Sequence, residues 1–576
     1  MSDCSVPRFA AQGGPAQGLP VQGFSAQGVP AQGFPLGLFA GRRYAVLGLG
    51  RNGLPAALAL AAMGAAVTAW DDSEAARTAA STLIADAAGT IALGDLLADD
   101  FAFDALVLSP GIPHLLPAPH PAAVRARVAG VPILSDVELL FRAVRAAGSR
   151  ARFAGITGTN GKSTTAALLA HILAGAGVAV AAGGNLGPAA LALPLLPDGG
   201  VYVLEMSSYM LERIETVRFD AAAMLNLSPD HLDRHGGMAG YVAAKRAIFD
   251  RQVAADLAVV GSDDPLSRAL ADALRDRPAR VIAISGGTSA DVRCEAGGRC
   301  EGGGEAGVWC EAGVLRDAVG PILAMAEAPA LPGAHNAQNA AAAAALALGL
   351  GIGRAEVARG IASFPGLPHR QQHIAAIDGV AFVNDSKATN ADAAQRALGC
   401  YPRVIWIAGG IAKAGGITPL APFFSRIAHA FLIGRDAAAL AATLAAAGVA
   451  HTVAGTLETA VPAAFATALA MPSPAAAAPV VLLSPACASF DQFSGFEARG
   501  ERFAALVAAL AAPVGAPSGI SPGVSSGVSS GVSLGAVHRA SVGASSEAAA
   551  AGPSAGVAPT PAGPAHAAPT HAGEAA

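Results

Sequence analysis

Short apolar runs alternate with alanine-rich stretches along most of this chain, and this alternation constrains the fold more than any other feature. Strands that alternate with helices pair in parallel sheets, with helices covering both faces. The pattern therefore predicts an α/β protein. The runs with the length and composition of strands are Tyr44–Leu49, Val67–Trp70, Ala105–Leu108, Phe153–Ile156, Val201–Leu204, Ala222–Leu227, Val404–Ala408, Ala430–Ile433 and Val480–Leu483.

The chain has 576 residues, too many for one hydrophobic core, so we expect several domains. One break follows Phe141–Ser149, where Arg152 opens a new strand, and another lies near Phe364–His369, where prolines interrupt a helix. Low-complexity sequence at both ends cannot form a core. The predicted organisation is a disordered tail (1–38), a Rossmann-like N-terminal domain (39–150), a central P-loop ATPase-type domain (151–364), a C-terminal Rossmann-like domain (365–511) and a disordered tail (512–576).

Composition excludes several classes of function. The formal net charge is −5 and 14% of residues are charged, so the chain lacks the basic surplus of a nucleic-acid binder. Six cysteines in so long a chain do not indicate a disulfide framework. Neither a secretory leader nor an apolar segment of membrane-spanning length is evident. We therefore expect a cytoplasmic protein without a nucleic-acid partner and without membrane insertion.

The segment Gly286–Gly313 fits the alternating pattern poorly. It is rich in glycine and carries Cys294, Cys300 and Cys310, whose spacing is unlike that of zinc-binding cysteine pairs. We predict that it is an inserted surface loop.

A first glycine-rich loop, Gly48–Gly53, follows a predicted strand and opens a helix. An acidic pair, Asp71 and Asp72, ends the next strand. Glycines at such a turn let backbone N–H groups approach a diphosphate at the start of a helix. The loop predicts a nucleotide-type ligand, although an ordinary glycine turn is the alternative. NAD does not follow from it, because any nucleotide diphosphate fits the same geometry.

A second loop, Thr157–Thr164, carries the strongest single motif. It reads Thr-Gly-Thr-Asn-Gly-Lys-Ser-Thr between the strand Phe153–Ile156 and a predicted helix, Lys162–Ala174. Backbone amides in such a loop surround ATP phosphates, while Lys162 reaches the phosphate oxygens and Ser163 offers a hydroxyl to Mg²⁺. The sequence therefore predicts an ATP site. The phosphate-binding residues are Gly158, Thr159, Asn160, Gly161, Lys162, Ser163 and Thr164.

Acidic and histidine residues follow the neighbouring strands of the same domain. Glu205 ends one strand, and Asp230, His231 and Asp233 lie just past the next. Because the carboxyl ends of parallel strands converge where such sheets bind substrates, these side chains form a candidate Mg²⁺ and acid–base group. Lys245, in a helix predicted over Tyr241–Phe249, reads on spacing alone as a solvated surface lysine.

In the third predicted domain, three polar segments each follow a strand: Asn384–Asn390, Gly409–Lys413 and Ser484–Ser489. Lysines and hydroxyl groups gathered there could hold an anionic amino acid and shield ATP phosphates. Cys487 lacks an apparent histidine partner, so it is predicted to be a packed thiol rather than a nucleophile.

These motifs, in this order, resemble the Mur ligase family over roughly residues 38–511. Segments typical of the members that add D-glutamate are Ser109–Pro113, Gly183–Gly187, Asn384–Asn390 and Ser484–Ser489 with Asp491-Gln492-Phe493. The resemblance implies a ligase that uses ATP to join D-glutamate to UDP-N-acetylmuramoyl-L-alanine through an acyl phosphate. It also implies peptidoglycan precursor synthesis, two Mg²⁺ ions and a monomer.

The resemblance further assigns site residues. The catalytic group would be Lys162, His231, Lys245 and Glu205, and the metal ligands Ser163, Glu205, His231 and a carbamylated Lys245. The remaining ATP contacts would be Asn336, Asn339, Arg370 and Asp385. The uracil-nucleotide substrate would meet Arg51, Asn52, Asp71, Asp72, Gly111 and Asn185. D-glutamate would meet Lys413, Thr389, Ser489 and Phe496.

Two positions depart from the family pattern. Met210 stands where a glutamine is usual, and Gly261–Asp264 lacks the usual Asn-Ala before its aspartates. The open alternatives are a sister ligase adding another amino acid, a folate-polyglutamate-type synthase, an NAD-dependent oxidoreductase and a non-catalytic nucleotide-binding regulator. The Gly48–Gly53 turn with Asp71 argues against the folate enzyme. In an oxidoreductase the P-loop lysine, Lys162, would have no function.

Overall fold

The computed structural model describes residues 32–87, 89–98, 101–185, 187–287, 305–413, 415–471 and 480–511. They form three separate sheets with helices on their faces, which confirms the predicted α/β class. All of the predicted strands are present, and their bounds differ from the prediction by no more than a few residues.

The first sheet has the strand order β3-β2-β1-β4-β5, and all of its strands are parallel. The chain order reverses between β1 and β4, and the carboxyl edge of a sheet at such a point is where α/β folds bind ligands. The elements are β1 (Arg43–Leu47), α1 (Gly53–Ala62), β2 (Ala66–Trp70), α2 (Glu74–Ala85), β3 (Thr90–Leu93), β4 (Ala105–Leu108), α3 (Pro121–Val128), β5 (Ile133–Leu134) and α4 (Asp136–Ala146).

The second sheet is the largest, with the order β14-β13-β12-β11-β10-β9-β6-β8-β7. Strands β6 to β12 pair in parallel, whereas β13 and β14 pair antiparallel at the edge. Its strands are β6 (Arg152–Thr157), β7 (Val180–Gly184), β8 (Val201–Glu205), β9 (Ala221–Met224), β10 (Leu257–Gly261), β11 (Arg280–Ser285), β12 (Glu305–Glu311), β13 (Val314–Asp317) and β14 (Gly320–Ala324). Its helices are α5 (Lys162–Gly175), α6 (Ser208–Leu211), α7 (Leu232–His235), α8 (Met238–Arg246), α9 (Pro265–Arg275), α10 (Ala334–Gly349) and α11 (Arg354–Ala362).

The third sheet has the order β15-β16-β20-β17-β18-β19, with only the β15–β16 pair antiparallel among the residues described. Its strands are β15 (Gln372–Ile377), β16 (Val380–Asn384), β17 (Val404–Gly409), β18 (Ile427–Ile433), β19 (His451–Gly455) and β20 (Val480–Leu483). Its helices are α12 (Ala391–Cys400), α13 (Ala437–Ala446), α14 (Leu457–Ala470) and α15 (Phe496–Ala511).

The alanine-rich stretches form helices that lie close to the sheets. Residues Ala340–Ala347 of α10 are all buried, and α10 packs against α5 and against β10 to β12. Small side chains let a helix approach its neighbours closely, which places the start of α10 beside the Thr157–Thr164 loop. Within the described part of the chain, no helix has both the length and the apolarity needed to cross a membrane.

Two predicted irregular segments contain ordered structure. The sequence predicts a tail that extends to residue 38, but Phe34 is buried in a hydrophobic core to which the first and second sheets both contribute. The Gln32 carbonyl accepts from the backbone N–H of Leu195. The surface loop predicted over Gly286–Gly313 is wrong for Glu305–Glu311, which form β12 and bury Cys310. The β-branched and aromatic residues Val308 and Trp309 explain the strand, because they pack well on a sheet. The predictions for 1–31, 288–304 and 512–576 lie outside the described residues.

Candidate functional site

The Thr157–Thr164 loop leaves β6 and ends at α5, as predicted. Gly158 and Gly161 have φ of 142° and 87°, conformations that side chains rarely adopt. Asn226, just past β9, holds the loop: its side-chain oxygen accepts from the Asn160 N–H at 2.8 Å, and its carbonyl accepts from the Thr159 N–H at 2.9 Å. Two hydrogen bonds to Asn226 therefore fix the course of the loop.

The lysine of this loop is folded back on its own backbone. Nζ of Lys162 donates to the carbonyl oxygens of Gly158 and Thr159, both at 2.9 Å. Burial lowers the pKa of Lys162, and the negative charge of Glu205 partly offsets that effect. Phosphate oxygens could replace both carbonyl contacts without moving the main chain.

Glu205 lies at the carboxyl end of β8, next to β6, and is only 3% exposed. Oε1 accepts from the side-chain N–H of Asn185 at 2.8 Å, whereas Oε2 is buried with no hydrogen-bond partner. A buried carboxylate oxygen without a partner is costly unless something binds it. Asn185, which is predicted to contact the nucleotide substrate, thus also contacts the candidate metal ligand Glu205.

Lys245 is not on the surface. It is 2% exposed, and its Nζ donates to the Gly158 carbonyl at 2.9 Å and to the Thr157 hydroxyl at 3.3 Å. Burial, together with the neighbouring charge of Lys162, lowers the pKa of Lys245 to about 7. The expectation of a solvated lysine is wrong because α8 turns this face towards β6. A lysine whose pKa is lowered in this way loses its proton more readily than a surface lysine, and the neutral amine can act as a nucleophile or base.

His231 lies just before α7 with a φ of 51°, a conformation uncommon for residues other than glycine. Its ring is half exposed, with Nε2 3.5 Å from the Asp230 carboxylate and the ring centre 5.2 Å from that of Tyr209. Backbone strain at such a position is consistent with a side chain that the fold orients for a task. Met210 is fully buried in the core, so this departure from the family pattern places an apolar side chain among other apolar ones.

The first glycine loop has the geometry that its sequence predicts. A Cβ added at Gly53 would lie 1.7 Å from the Gly48 carbonyl oxygen, so only glycine fits there. Asp71, at the end of β2, accepts from the Leu49 N–H at 2.7 Å, and Asp72 contacts the His120 ring at 3.0 Å. The loops after β1, β2 and β4 therefore meet at the switch point of the first sheet.

The first and second domains meet at this same point. The Asn52 side chain donates to the carbonyl of Gly184, which precedes Asn185, at 3.2 Å. Arg234 of α7 donates to the Gly111 carbonyl at 2.9 Å. The residues predicted to hold the nucleotide substrate therefore lie next to the loops that surround Glu205 and His231. Arg51 is exposed beside them.

The residues predicted to make the remaining contacts with ATP also lie near the P-loop. The Asn339 side-chain oxygen lies so close to Gly161 that a Cβ there would be 2.2 Å from it. The same oxygen accepts a hydrogen bond from the Thr165 hydroxyl, and the Asn339 side-chain N–H donates to the side-chain oxygen of Asn336. Arg370 donates to the Ser163 hydroxyl at 3.1 Å, which links the start of the third domain to the P-loop. Its neighbours His369 and Gln371 both have positive φ, so the backbone that presents Arg370 is strained.

Asp385 follows β16 and is buried. Its carboxylate accepts from the Ser484 hydroxyl at 2.7 Å and from the Gln371 N–H at 3.1 Å. Burial raises the pKa of Asp385 to about 7, although these hydrogen bonds and Arg370 lower it in part.

The three polar segments of the third domain lie together at the carboxyl edge of its sheet. Ile411 and Ala488 exchange backbone hydrogen bonds at 2.8 and 2.9 Å, which brings the Lys413 loop beside Ser489. Lys387 lies 5.1 Å above the Phe496 ring, and the Thr389 N–H donates to the Lys387 carbonyl. Cys487 is fully buried, and burial raises the pKa of its thiol to about 11, so it is a packed thiol as predicted.

Arg499 joins these segments and was not identified from the sequence. It is 1% exposed, and its guanidinium donates to the Ser386 carbonyl at 2.8 Å, the Cys487 carbonyl at 3.1 Å and the Gly409 carbonyl at 3.4 Å. Each of these carbonyls belongs to a different one of the three loops. The available signal was that Arg499 lies on the same face of α15 as Phe503 and Val507, but nothing in its spacing indicates what it contacts.

Hard oxygen ligands fit Mg²⁺, and the free oxygen of Glu205 and the hydroxyl of Ser163 are of that type. Over the residues described, no cluster of three or more His, Cys, Asp or Glu side chains could hold a metal ion. As an ammonium, Lys245 could not bind a metal ion; as a carbamate it could.

Three α/β sheets with a P-loop and a separate glycine loop at a switch point are the architecture of a nucleotide-binding protein. Residues 156–347 match the sequence profile described as the Mur ligase middle domain. A UDP-N-acetylmuramoylalanine–D-glutamate ligase of Paramagnetospirillum magneticum is 50% identical over 470 residues, which cover 82% of this chain and 97% of that protein. The ligase of the same name from Caulobacter vibrioides is 49% identical over 478 residues, which cover 81% of this chain and 96% of that protein. The chain therefore belongs to the Mur ligase family, and within it to the UDP-N-acetylmuramoylalanine–D-glutamate ligases.

Among solved structures, the UDP-N-acetylmuramate–alanine ligase MurC of Thermotoga maritima is 17% identical, with a TM-score of 0.48. The alignment covers 81% of this chain and 99% of that one.

Proposed function

We propose that this enzyme joins D-glutamate to UDP-N-acetylmuramoyl-L-alanine at the expense of ATP, in cytoplasmic peptidoglycan precursor synthesis. The observation that supports it best is the hydrogen bond between Arg370 and Ser163, which connects the third domain to the P-loop of the second. A phosphoryl group held by the P-loop then lies between a nucleotide-substrate domain and an amino-acid domain. The family relationship selects D-glutamate over another amino acid and over the oxidoreductase alternative.

In the first step, a carboxylate oxygen of the alanine attacks the γ-phosphorus of ATP, forming an acyl phosphate and releasing ADP. Lys162 exchanges its contacts with Gly158 and Thr159 for phosphate oxygens and stabilises the charge that gathers there. Arg370 supplies a second cation from the third domain. Asn336, Asn339 and Asp385 are assigned to the adenine and ribose side.

In the second step, the amine of D-glutamate attacks the acyl carbon, and the tetrahedral intermediate collapses to an amide and phosphate. Lys413 is assigned to a carboxylate of D-glutamate, with hydroxyl groups from Thr389 and Ser489 and the Phe496 ring around it. Arg51, Asn52, Asp71, Asp72, Gly111 and Asn185 are assigned to the uracil-nucleotide substrate.

Two Mg²⁺ ions belong to the proposal, and when bound they would neutralise the phosphate charge. Ser163 and Glu205 are assigned to one ion, and His231 with a carbamylated Lys245 to the other. Asn185 orients Glu205 through the 2.8 Å hydrogen bond to Oε1, which leaves Oε2 free to bind. The lowered pKa of Lys245 supports carbamylation, because only a neutral amine reacts with CO₂. We also propose that the enzyme is a monomer.

The test is phosphate release from ATP in the presence of UDP-N-acetylmuramoyl-L-alanine. D-glutamate, L-glutamate, L-alanine and meso-diaminopimelate are supplied in parallel. We expect release that depends on D-glutamate and is absent from a Lys162→Ala variant. Folded protein that releases no phosphate with D-glutamate, or that prefers another amino acid, would overturn the assignment.

A further inference from the structure

The turn Gly434–Asp436, which follows β18, lies beside the two loops assigned to D-glutamate. The Asp436 carboxylate accepts from the Ala412 N–H at 2.8 Å, directly before Lys413. The Asp436 N–H in turn donates to the Gly410 carbonyl at 3.1 Å. The turn therefore holds the Lys413 loop by two hydrogen bonds.

The same turn also holds the Ser489 loop. The Asp491 carboxylate accepts from the Arg435 N–H at 2.8 Å, and a Cβ at Gly434 would meet that carboxylate at 2.4 Å. Gly434 has a φ of 77°, so a glycine is required there for conformation as well as for space. One short turn thus joins the two halves of the assigned amino-acid pocket.

Asp436 is placed where an aspartate usually caps a helix, since α13 begins at the next residue. Its side chain makes no capping hydrogen bond to α13 and is directed to Ala412 instead. The Arg435 guanidinium bonds both oxygens of this carboxylate, at 3.0 and 3.1 Å. The carboxylate therefore contacts Arg435 on one side and the Lys413 loop on the other.

We infer that Asp436 is a positioning residue for D-glutamate binding, which acts by fixing the Ala412 backbone so that Lys413 faces Ser489. This inference rests on the proposed function of Lys413. If the loop that carries Lys413 moves, the loop and the lysine side chain must become ordered when D-glutamate binds. The entropy lost in that ordering weakens the binding of D-glutamate. Loss of the carboxylate should weaken the capture of D-glutamate and leave the ATP and nucleotide-substrate sites unchanged.

The test is steady-state kinetics of the full-length enzyme with each of the three substrates varied in turn. For Asp436→Ala we expect the KM for D-glutamate to rise about tenfold or more, the loss typical of one charge-assisted hydrogen bond. The KM values for ATP and UDP-N-acetylmuramoyl-L-alanine should stay within about twofold. Asp436→Asn, whose side-chain oxygen can still accept from Ala412, should recover most of the affinity.

The matched control is Glu458→Ala, which removes an exposed carboxylate of the same domain that pairs with Arg502 at 2.8 Å. It should leave all three KM values unchanged. In a Lys413→Ala background, Asp436→Ala should add little further loss, because both changes remove the same interaction. An unchanged D-glutamate KM in Asp436→Ala, an equal rise in all three KM values, or full additivity with Lys413→Ala would overturn the inference. Absence of D-glutamate-dependent turnover in the unmodified enzyme would instead overturn the proposed function.

Discussion

Replacing Arg499 by methionine should destabilise the third domain strongly. The change removes the cation that joins the Ser386, Cys487 and Gly409 carbonyls and leaves these buried acceptors without it. Each orphaned acceptor costs roughly 1–3 kcal/mol, and relief from burying a charge offsets part of the sum. We expect a net loss of about 3 kcal/mol in the free energy of unfolding, or roughly 10 °C in Tm.

The assay can follow this domain alone. The chain has three tryptophans, and Trp70, Trp309 and Trp406 lie in the first, second and third sheets respectively. In a Trp70→Phe, Trp309→Phe background, the fluorescence of Trp406 reports the third domain. Its indole N–H donates to the Ser484 carbonyl at 2.8 Å, so it also reports the pocket loops. Denaturant titration then gives the midpoint for each variant.

Arg502→Met is the matched control, since Arg502 lies one turn further along α15 and is exposed in its pair with Glu458. We expect this change to cost less than about 0.5 kcal/mol. If Arg499→Met shifts stability by less than about 1 kcal/mol, or if both variants lose equally, Arg499 does not hold the three loops together.

Three further predictions follow from single contacts. Gly53→Ala should destabilise the first domain by at least about 3 kcal/mol, read from Trp70 fluorescence, because its Cβ would lie 1.7 Å from the Gly48 carbonyl. Gly50→Ala, whose Cβ meets nothing within 4 Å, should not. Asp385 has a folded-state pKa of about 7, above its unfolded value of about 3.9, so its contribution to stability is fully present below about pH 3.9, falls as the pH rises, and is gone above about pH 7; the window of the loss runs from about pH 3.9 to about pH 7. Asp385→Asn should therefore flatten the pH dependence of third-domain stability in that window, and an unchanged slope would contradict the burial argument. Lys245→Ala should be inactive yet partly restored by formate or acetate, measured as phosphate release, and full activity without the added anion would refute its assignment as a metal ligand.

The strands and the P-loop could be predicted because their signals are local. A buried strand is a short apolar run, and Thr157–Thr164 is contiguous in sequence, so neither depends on distant residues. The strand Glu305–Glu311 was missed because the glycine-rich sequence before it hides the short apolar run. Phe34 was missed because one aromatic residue in a low-complexity repeat does not reveal a core contact.

Long-range partners account for the remaining differences. Lys245 is buried because its side chain lies against Thr157 at the end of β6 and against the Gly158 carbonyl, and its spacing along α8 carries no information about those neighbours. Arg499 and Asp436 act on loops that are distant in sequence, and their partners are backbone atoms, which leave no pattern in side-chain types. The Mur ligase resemblance identified Lys245 as functional but gave no physical reason, which its burial and its pKa of about 7 now supply.

The most direct test of the account follows the oxygen atoms of the alanine carboxylate. UDP-N-acetylmuramoyl-L-alanine labelled with ¹⁸O in both carboxylate oxygens is incubated with enzyme, ATP and D-glutamate, and the products are separated for mass spectrometry. If the carboxylate is phosphorylated before the amine attacks, one labelled oxygen leaves with the inorganic phosphate and the other stays in the new amide. Phosphate without label, or labelled phosphate formed without the D-glutamyl product, would contradict the account.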